Sequence, residues 1–406
     1  VAALASPSAD VRAEGEKLID LAAVGLARAQ HGGRIDPASV SHEWALRQDY
    51  DARADYGAAR AAGTVAAWAR ALAPDSVTYQ RFAAARARYA AIVADGGWAP
   101  IGAGKDLKIG DDDPRIAALR VRLAVEGYAV AASDTPTVLD EALSKTLTAF
   151  QTAHGIKATG KLDAATVKEL DVPADVRLAV IDLNLERERW LPRPLPADRI
   201  EVDIGGQVAT VYQAGQVVLD MRIIVGQPTK RTPSFASHVT AVVFNPPWVV
   251  PSSIAAAELY PKERRHPGYF ARNGFHIQGG QLVQAPGPKA ALGYIKFDLV
   301  SPFGVYLHDT PSRSLFARDR RTLSHGCMRL QSPRELAALL LAHQGWSRDD
   351  VEAAIAAGAT RRVGLEAQTP VFVVYRTVAV AADGTTAFRP DVYGWDAMLA
   401  AALAGR

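Results

Sequence analysis

The sequence predicts an α+β multidomain chain, and three observations carry that prediction. Its 406 residues exceed what one ordinary core accommodates, so two or three domains are expected. The first half is rich in Ala and Arg, with apolar residues at helical spacing, whereas after Pro196 the spacing changes to period two. A stretch at 245–296, dense in Pro, Gly and aromatics, interrupts the strands and is too long for an ordinary connection. Hydrophobic residues make up 49% and charged residues 22%, a globular balance, and the net charge of +3 gives no footing for nucleic acid. No apolar run reaches the ~18 residues of a membrane span, so no transmembrane segment is expected. No charged-then-apolar signal pattern follows Val1.

The elements follow in order. "YGAARAAGTVAAWARAL" and "SVTYQRFAAARARYAAIVADGG" read as amphipathic helices ending at Gly, a scaffold whose Arg residues form a solvated face. A turn-rich break at 99–114 separates them from three short helices. Ile116, Leu119 and Leu123 face one way on the first; Leu139, Leu143, Leu147 and Phe150 form the next apolar stripe; "LDAATVKEL" is the third. Residues 174–192 read as a helix stopped at Pro192 that returns to the scaffold. "RIEVDI", "QVATVYQ", "QVVLDMRIIVG" and "HVTAVVF" read as strands, with a hairpin turn at 214–216. The 245–296 stretch is either a lid or a surface insertion. "FGVYLHD" resumes the sheet. Ser332, Pro333 and Glu335 predict a capping box for the helix that follows, and Ser347 caps another that ends at Gly358. Residues 370–393 close as a hairpin over "ADG".

Cys327 is the only cysteine, which excludes an internal disulfide and any multi-cysteine metal site. It is an inert buried thiol, a mixed-ligand metal residue or a nucleophile. A thiol attacks a carbonyl as thiolate and needs a base or cation beside it. His325, two positions before it, and His308, 19 before it, are the candidates. Alternation in "FGVYLHD" puts Phe303, Val305 and Leu307 on a core face and Gly304, Tyr306 and His308 on the other. Asp309 is a candidate orienter of the imidazole. Successive N–H groups in His325-Gly326-Cys327 could bind an oxyanion, Gly326 allowing close approach.

Two resemblances sharpen this. Residues 106–172, through Leu119, Leu123, Phe150–Gln151, His154–Gly155, Gly160, Thr166 and Leu170, resemble the peptidoglycan-binding type 1 module, against the alternative of a helical spacer. A strand ending in His308-Asp309, a polar loop, then Ser324-His325-Gly326-Cys327 resembles the L,D-transpeptidase (YkuD-type) signature. The flanks "PKERRHPGYFARNGF", "PGPKAALGYIKF" and "VYLHDTPSRSLFARDRRTLSHGCMRL" look like the large periplasmic YcbB-type enzymes. Arg329 departs from the wider signature, which commonly has Asn there.

The resemblance implies a helical scaffold at 1–104, a peptidoglycan-binding type 1-like module at 105–173 and a returning helix and linker at 174–197. It implies a mainly β YkuD-type catalytic domain at 198–406, with a substrate-capping insertion at about 247–293. It implies Cys327 as nucleophile, His308 as general base and acid, His325 as a positioning residue and part of the oxyanion backbone, and Gly326 as oxyanion-hole backbone. Tyr306, Ser324, Arg329, Trp248 and Tyr269 are candidate substrate contacts, the aromatics either lining the lid pocket or forming a lid core. The implied partners are peptidoglycan stem peptides and glycan, with carbapenem β-lactams as inhibitors, and the implied location is the periplasm, the signal segment being absent from this chain. No cofactor and no metal are implied. The activity implied is 3→3 crosslinking through a thioester. Rival readings on the same site are an L,D-carboxypeptidase or endopeptidase and a lipoprotein-anchoring enzyme. A non-catalytic peptidoglycan-binding protein and a metallohydrolase using His308, Asp309, His325 and Cys327 are the readings from other classes.

Overall fold

The structure, a computed structural model, describes residues 8–405. The chain divides into two compact units: one takes in residues up to 42, 46–195 and from 375 onward, the other 43–45 and 196–374. Mixed α and β structure is present as expected, the strands concentrated in the second unit.

In the first unit, helices span Ala9–His31, Ala52–Ala61, Val65–Ala71 and Val77–Ala94. The expected single helix over 56–72 is two, because the chain turns at Gly63 with φ of 68°. Helix Ala9–His31 gave little sequence signal, since its buried residues are Gly15, Val24 and Ala27. Three helices, Pro114–Val125, Glu141–Ala153 and Ala164–Leu170, carry N-caps Asp113, Asp140 and Asp163, whose carboxylates accept backbone N–H groups. They close over Ile116, Leu119, Leu123, Leu143, Leu147 and Phe150. Gln151 pins this module internally: its amide donates to Lys161 O (2.9 Å) and Thr166 Oγ1 (2.8 Å) and accepts from Gly160 N–H (2.8 Å).

Helix Ala174–Glu188 returns to helix Val77–Ala94 and buries Ile181 and Leu185 against Tyr79, Phe82 and Tyr89. Val378 and Phe388 complete the same core. From Tyr375 on the described chain therefore packs here and not with the main sheet, which corrects the expected 198–406 boundary. The physical reason lies in side-chain pairing. Asn184 exchanges hydrogen bonds with Thr377, and Arg376 pairs with buried Glu188 at 2.6 Å. Continuous apolar alternation across 370–393 hid the change of core.

The second unit is built on strands β1 (Trp44–Ala45), β2 (Arg199–Asp203), β3 (Val208–Gln213), β4 (Gln216–Gly226) and β5 (Ser234–Phe244). These are followed by β6 (Trp248–Val249), β7 (Phe275–Gln278), β8 (Gln281–Gln284), β9 (Ile295–Leu299), β10 (Leu307–His308), β11 (Thr322–Ser324), β12 (Met328–Leu330) and β13 (Arg361–Val374). The main sheet runs β5-β13-β2-β3-β4-β12-β10-β9, and β9 pairs back onto β5, so it closes on itself. Closure removes exposed edges and encloses a core with Val202, Ile224, Phe297, Leu307 and Met328. The strand expected over 303–309 is only β10, because Gly304 adopts φ of 64°. Helix Pro333–Leu341 starts at Ser332 without a side-chain cap, so the expected capping box does not form; Glu335 pairs with Arg348 instead. The box forms one helix later, between Ser347 and Asp350.

The insertion folds as a small three-stranded sheet, β6-β8-β7, with short helices and a π-helical turn at Ala255–Leu259. It has its own core of Val250, Ala255, Leu259, Phe275 and Leu282.

Candidate active site

Strand register assembles the site. On β10, His308 lies opposite Arg329 of parallel β12 and opposite Lys296 of antiparallel β9. Directly paired residues share a face, so Lys296, His308 and Arg329 form a row across three strands. Leu307, Met328 and Phe297 form the adjacent row, fully buried on the core side. Cys327 precedes β12 by one residue, beside Tyr306.

Tyr306 joins the two ends of the constellation. Its ring centroid lies 5.6 Å from that of His308, edge-on. Hydrogen bonding from its backbone and its phenol lowers the Cys327 thiol, which sets Tyr306 beside the sulfur. Burial pushes the Cys327 thiol up, and these hydrogen bonds, with the Arg329 and Lys296 cations, oppose that push without cancelling it. Burial, reinforced by the Arg329 guanidinium, brings His308 down to about 3 from an ordinary 6.5, against the pull of the Asp309 and Leu292 carbonyls. The resting pair is a neutral thiol and a neutral imidazole.

Nδ1 of His308 lies 2.5 Å from the backbone carbonyl of Asp309, which can only accept, so Nδ1 carries a proton toward it, and the Leu292 carbonyl bears on the same ring. The orienter is thus the main chain of Asp309, not its carboxylate. That carboxylate accepts the Tyr294 N–H at 2.9 Å and pairs with Arg313 at 3.2 Å, and it fills space beside Gly293, where an added Cβ would lie 2.5 Å from it.

The turn before Cys327 is held from inside. Ser324 Oγ donates to Cys327 O at 2.6 Å and accepts from Gly326 N–H at 3.1 Å. Ser324 is therefore committed to the turn rather than free for a substrate, and the Gly326 N–H is already engaged. Among the described residues, the backbone N–H groups of His325 and Cys327 have no acceptor and are available to an oxyanion. Gly326 sits at φ of 113°, and a Cβ there would come within 3.2 Å of Arg231 O, so the position requires glycine. Thr232 Oγ1 donates to Gly326 O at 2.8 Å and backs the turn from the β4–β5 loop.

Arg329 has no carboxylate partner among the described residues, and its buried Nε has no acceptor. An unpaired guanidinium beside the thiol is a ready contact for a substrate carboxylate. Trp248, on β6, lowers the Tyr306 phenol against the larger push of burial and so brings the insertion to the site wall. Tyr269 lies in the core of the insertion, stacked on Phe275 at 6.2 Å; of the two readings of the lid aromatics, it takes the core one. His325 Nε2 lies 2.5 Å from Glu258 of the insertion, which also binds Lys230 at 3.2 Å. The metallohydrolase ligand set does not assemble: Asp309 and His325 are turned to other partners, and no three metal-ligating side chains converge among the described residues.

Sequence reasoning missed Lys296, Glu258 and Lys230. Lys296 sits in "YIKF", and only long-range register places it opposite His308. Glu258 gave no periodic or motif signal.

Residues 197–373 match the YkuD family, described as the L,D-transpeptidase catalytic domain, and residues 112–170 match the putative peptidoglycan binding domain family. A putative L,D-transpeptidase of Haemophilus influenzae is 33% identical over 235 residues, covering 53% of this chain and 47% of that protein. The chain thus spans about half the length of the curated relative it matches. Among solved structures, an L,D-transpeptidase of Xylanimonas cellulosilytica is 16% identical, covering 67% of this chain and 98% of that one, with a TM-score of 0.22. L,D-transpeptidase 3 of Mycobacterium tuberculosis, solved with a faropenem-derived adduct, is 18% identical, covering 44% of this chain and 60% of that one, with a TM-score of 0.25.

Proposed function

We propose that the chain is a peptidoglycan L,D-transpeptidase that works through Cys327, its residues 197–373 matching the YkuD L,D-transpeptidase catalytic domain. The single observation that carries the reading is the register that sets His308 opposite Arg329, two residues beyond Cys327, with the Tyr306 ring 5.6 Å from the imidazole.

The chemistry follows from the protonation states. As Cys327 attacks the carbonyl of the diaminopimelate L-centre in a tetrapeptide stem, its thiol proton passes to His308. The developing oxyanion is met by the His325 and Cys327 N–H groups. The carbon–nitrogen bond to terminal D-Ala breaks, and the imidazolium returns the proton to the leaving amine. A thioester remains. A diaminopimelate side-chain amine of a second stem attacks it, gives its proton to His308, and expels the sulfur, leaving a 3→3 crosslink. Tyr306 stabilises the thiolate formed on the way, and Arg329 holds a stem carboxylate. A carbapenem acylates the same sulfur. The peptidoglycan-binding domain supports a glycan or stem-peptide partner and a cell-wall setting, with the periplasm as the compartment.

Incubation with disaccharide-tetrapeptide tests this reading. The expected products are crosslinked dimer and free D-Ala. Tripeptide monomer alone would make the protein an L,D-carboxypeptidase, and an unchanged tetrapeptide pool would contradict the substrate class. Two lines of support favour an amine acceptor over water: the insertion reaches the site wall through Trp248, and enclosure keeps water from a reactive intermediate.

A further inference from the structure

Glu258 stands out because nothing in the reaction as derived uses it. It lies in the π-helical turn Ala255–Leu259, the one π-helical segment among the described residues, in the middle of the insertion. π-turns often mark functional positions because they cost helix geometry. From there its carboxylate reaches out of the insertion to two groups of the catalytic sheet. Oε1 is 2.5 Å from His325 Nε2 and 3.2 Å from Lys230 Nζ. Burial pushes the Glu258 carboxyl up, but the hydrogen bonds from His325 and Lys230 outweigh it and hold the group below the usual carboxylate range.

The two partners sit where they bear on the acyl-enzyme. His325 belongs to the turn whose free N–H groups would meet the oxyanion, two residues from the sulfur. Lys230 belongs to the β4–β5 loop, whose Arg231 carbonyl and Thr232 hydroxyl back Gly326. One carboxylate therefore fastens three segments: insertion, nucleophile turn and backing loop. Trp248 and the Leu292 carbonyl of the insertion also bear on the site, on Tyr306 and His308 respectively.

Resting on the acyl-enzyme reading above, we infer that Glu258 is a positioning residue that latches the insertion onto the His325 turn and thereby excludes water from the thioester, so that an amine rather than water resolves it. Hydrolysis would add the water oxygen to the thioester carbonyl and break the carbon–sulfur bond, the water protons ending on the new carboxyl group and the released thiol. The latch acts on that branch and leaves the attack by Cys327 largely unaffected.

The test follows wild type, Glu258→Ala, Glu258→Gln and Lys230→Met by intact-mass spectrometry with a carbapenem. Adduct formation is measured first, then adduct loss after free drug is removed. Glu258→Ala is expected to take the adduct and lose it about fivefold faster, the scale of one partly exposed ion pair. Glu258→Gln and Lys230→Met are expected to fall between it and wild type. With disaccharide-tetrapeptide, the ratio of tripeptide to dimer should rise in the same order, a shift that a loss of stability alone would not produce. Adduct lifetimes and product ratios equal to wild type in Glu258→Ala would overturn the latch. If Glu258→Ala does not fold, equal lifetimes in the isosteric Glu258→Gln and in Lys230→Met would overturn it. A wild type that takes no adduct would sink the acyl-enzyme reading, and the latch with it.

Discussion

Cys327 and His308 are both held in their uncharged forms, and that has a direct kinetic consequence. The neutral ring of His308 persists down to about pH 3, so its protonation cannot set an acid limb near neutrality. The thiol is raised above its ordinary value by burial, so thiolate accumulates only in the alkaline range. Alkylation of Cys327 by iodoacetamide should therefore keep rising with pH past the ordinary thiol value of about 8.5. A rate already level by pH 7 would mean a thiolate–imidazolium pair and contradict these protonation states. The roles of Cys327 and His308 were legible because the Ser-His-Gly-Cys turn and the His-Asp strand end are local patterns. The part played by Asp309 was legible only by position: sequence offered a carboxylate orienter, whereas the backbone carbonyl makes the contact. A carbonyl belongs to every residue, so no side-chain pattern could have distinguished it.

At the scale of elements, the nucleophile turn depends on backbone that only glycine adopts. Gly326→Ala places a side chain at φ of 113° and against Arg231 O, and such strain costs about 1–3 kcal/mol. The expected result is a lower thermal midpoint together with slower carbapenem acylation; an unchanged midpoint would mean the turn relaxes freely. Strand types were readable from alternation, and β2 to β5 fall where period two placed them. Pairing was not readable, because the row Lys296–His308–Arg329 joins segments apart in sequence. The Ser332 box failed for a local reason: Glu335 found Arg348 instead. Capping motifs compete with any stronger partner within reach.

For the whole molecule, division into a helical unit and a closed-sheet unit follows the change of apolar period near residue 196, but the return of the chain from Tyr375 on to the helical unit does not show in composition. Both units carry groups that make stability fall with acid. His308 in the sheet unit and His154 in the helical unit are lowered by burial, so below the ordinary 6.5 the unfolded chain binds protons the folded chain refuses. Glu169 is held down to about 2 because its bonds to His154 and Arg177 outweigh burial, and its contribution is lost as pH falls from 4.5 through that value. The thermal midpoint is therefore expected to be lower at pH 5 than at pH 7, and a midpoint equal or higher at pH 5 would contradict the burial of both histidines in their neutral form.

The protonation states, the glycine-dependent turn and the Glu258 latch all bear on one atom, the sulfur of Cys327, as the site of acylation. Intact-mass spectrometry of the whole chain with a carbapenem measures that directly. The account predicts one stoichiometric adduct on the wild type and none on Cys327→Ala, with both proteins unfolding at similar temperature. No adduct on the wild type, or an adduct that survives Cys327→Ala, would contradict it.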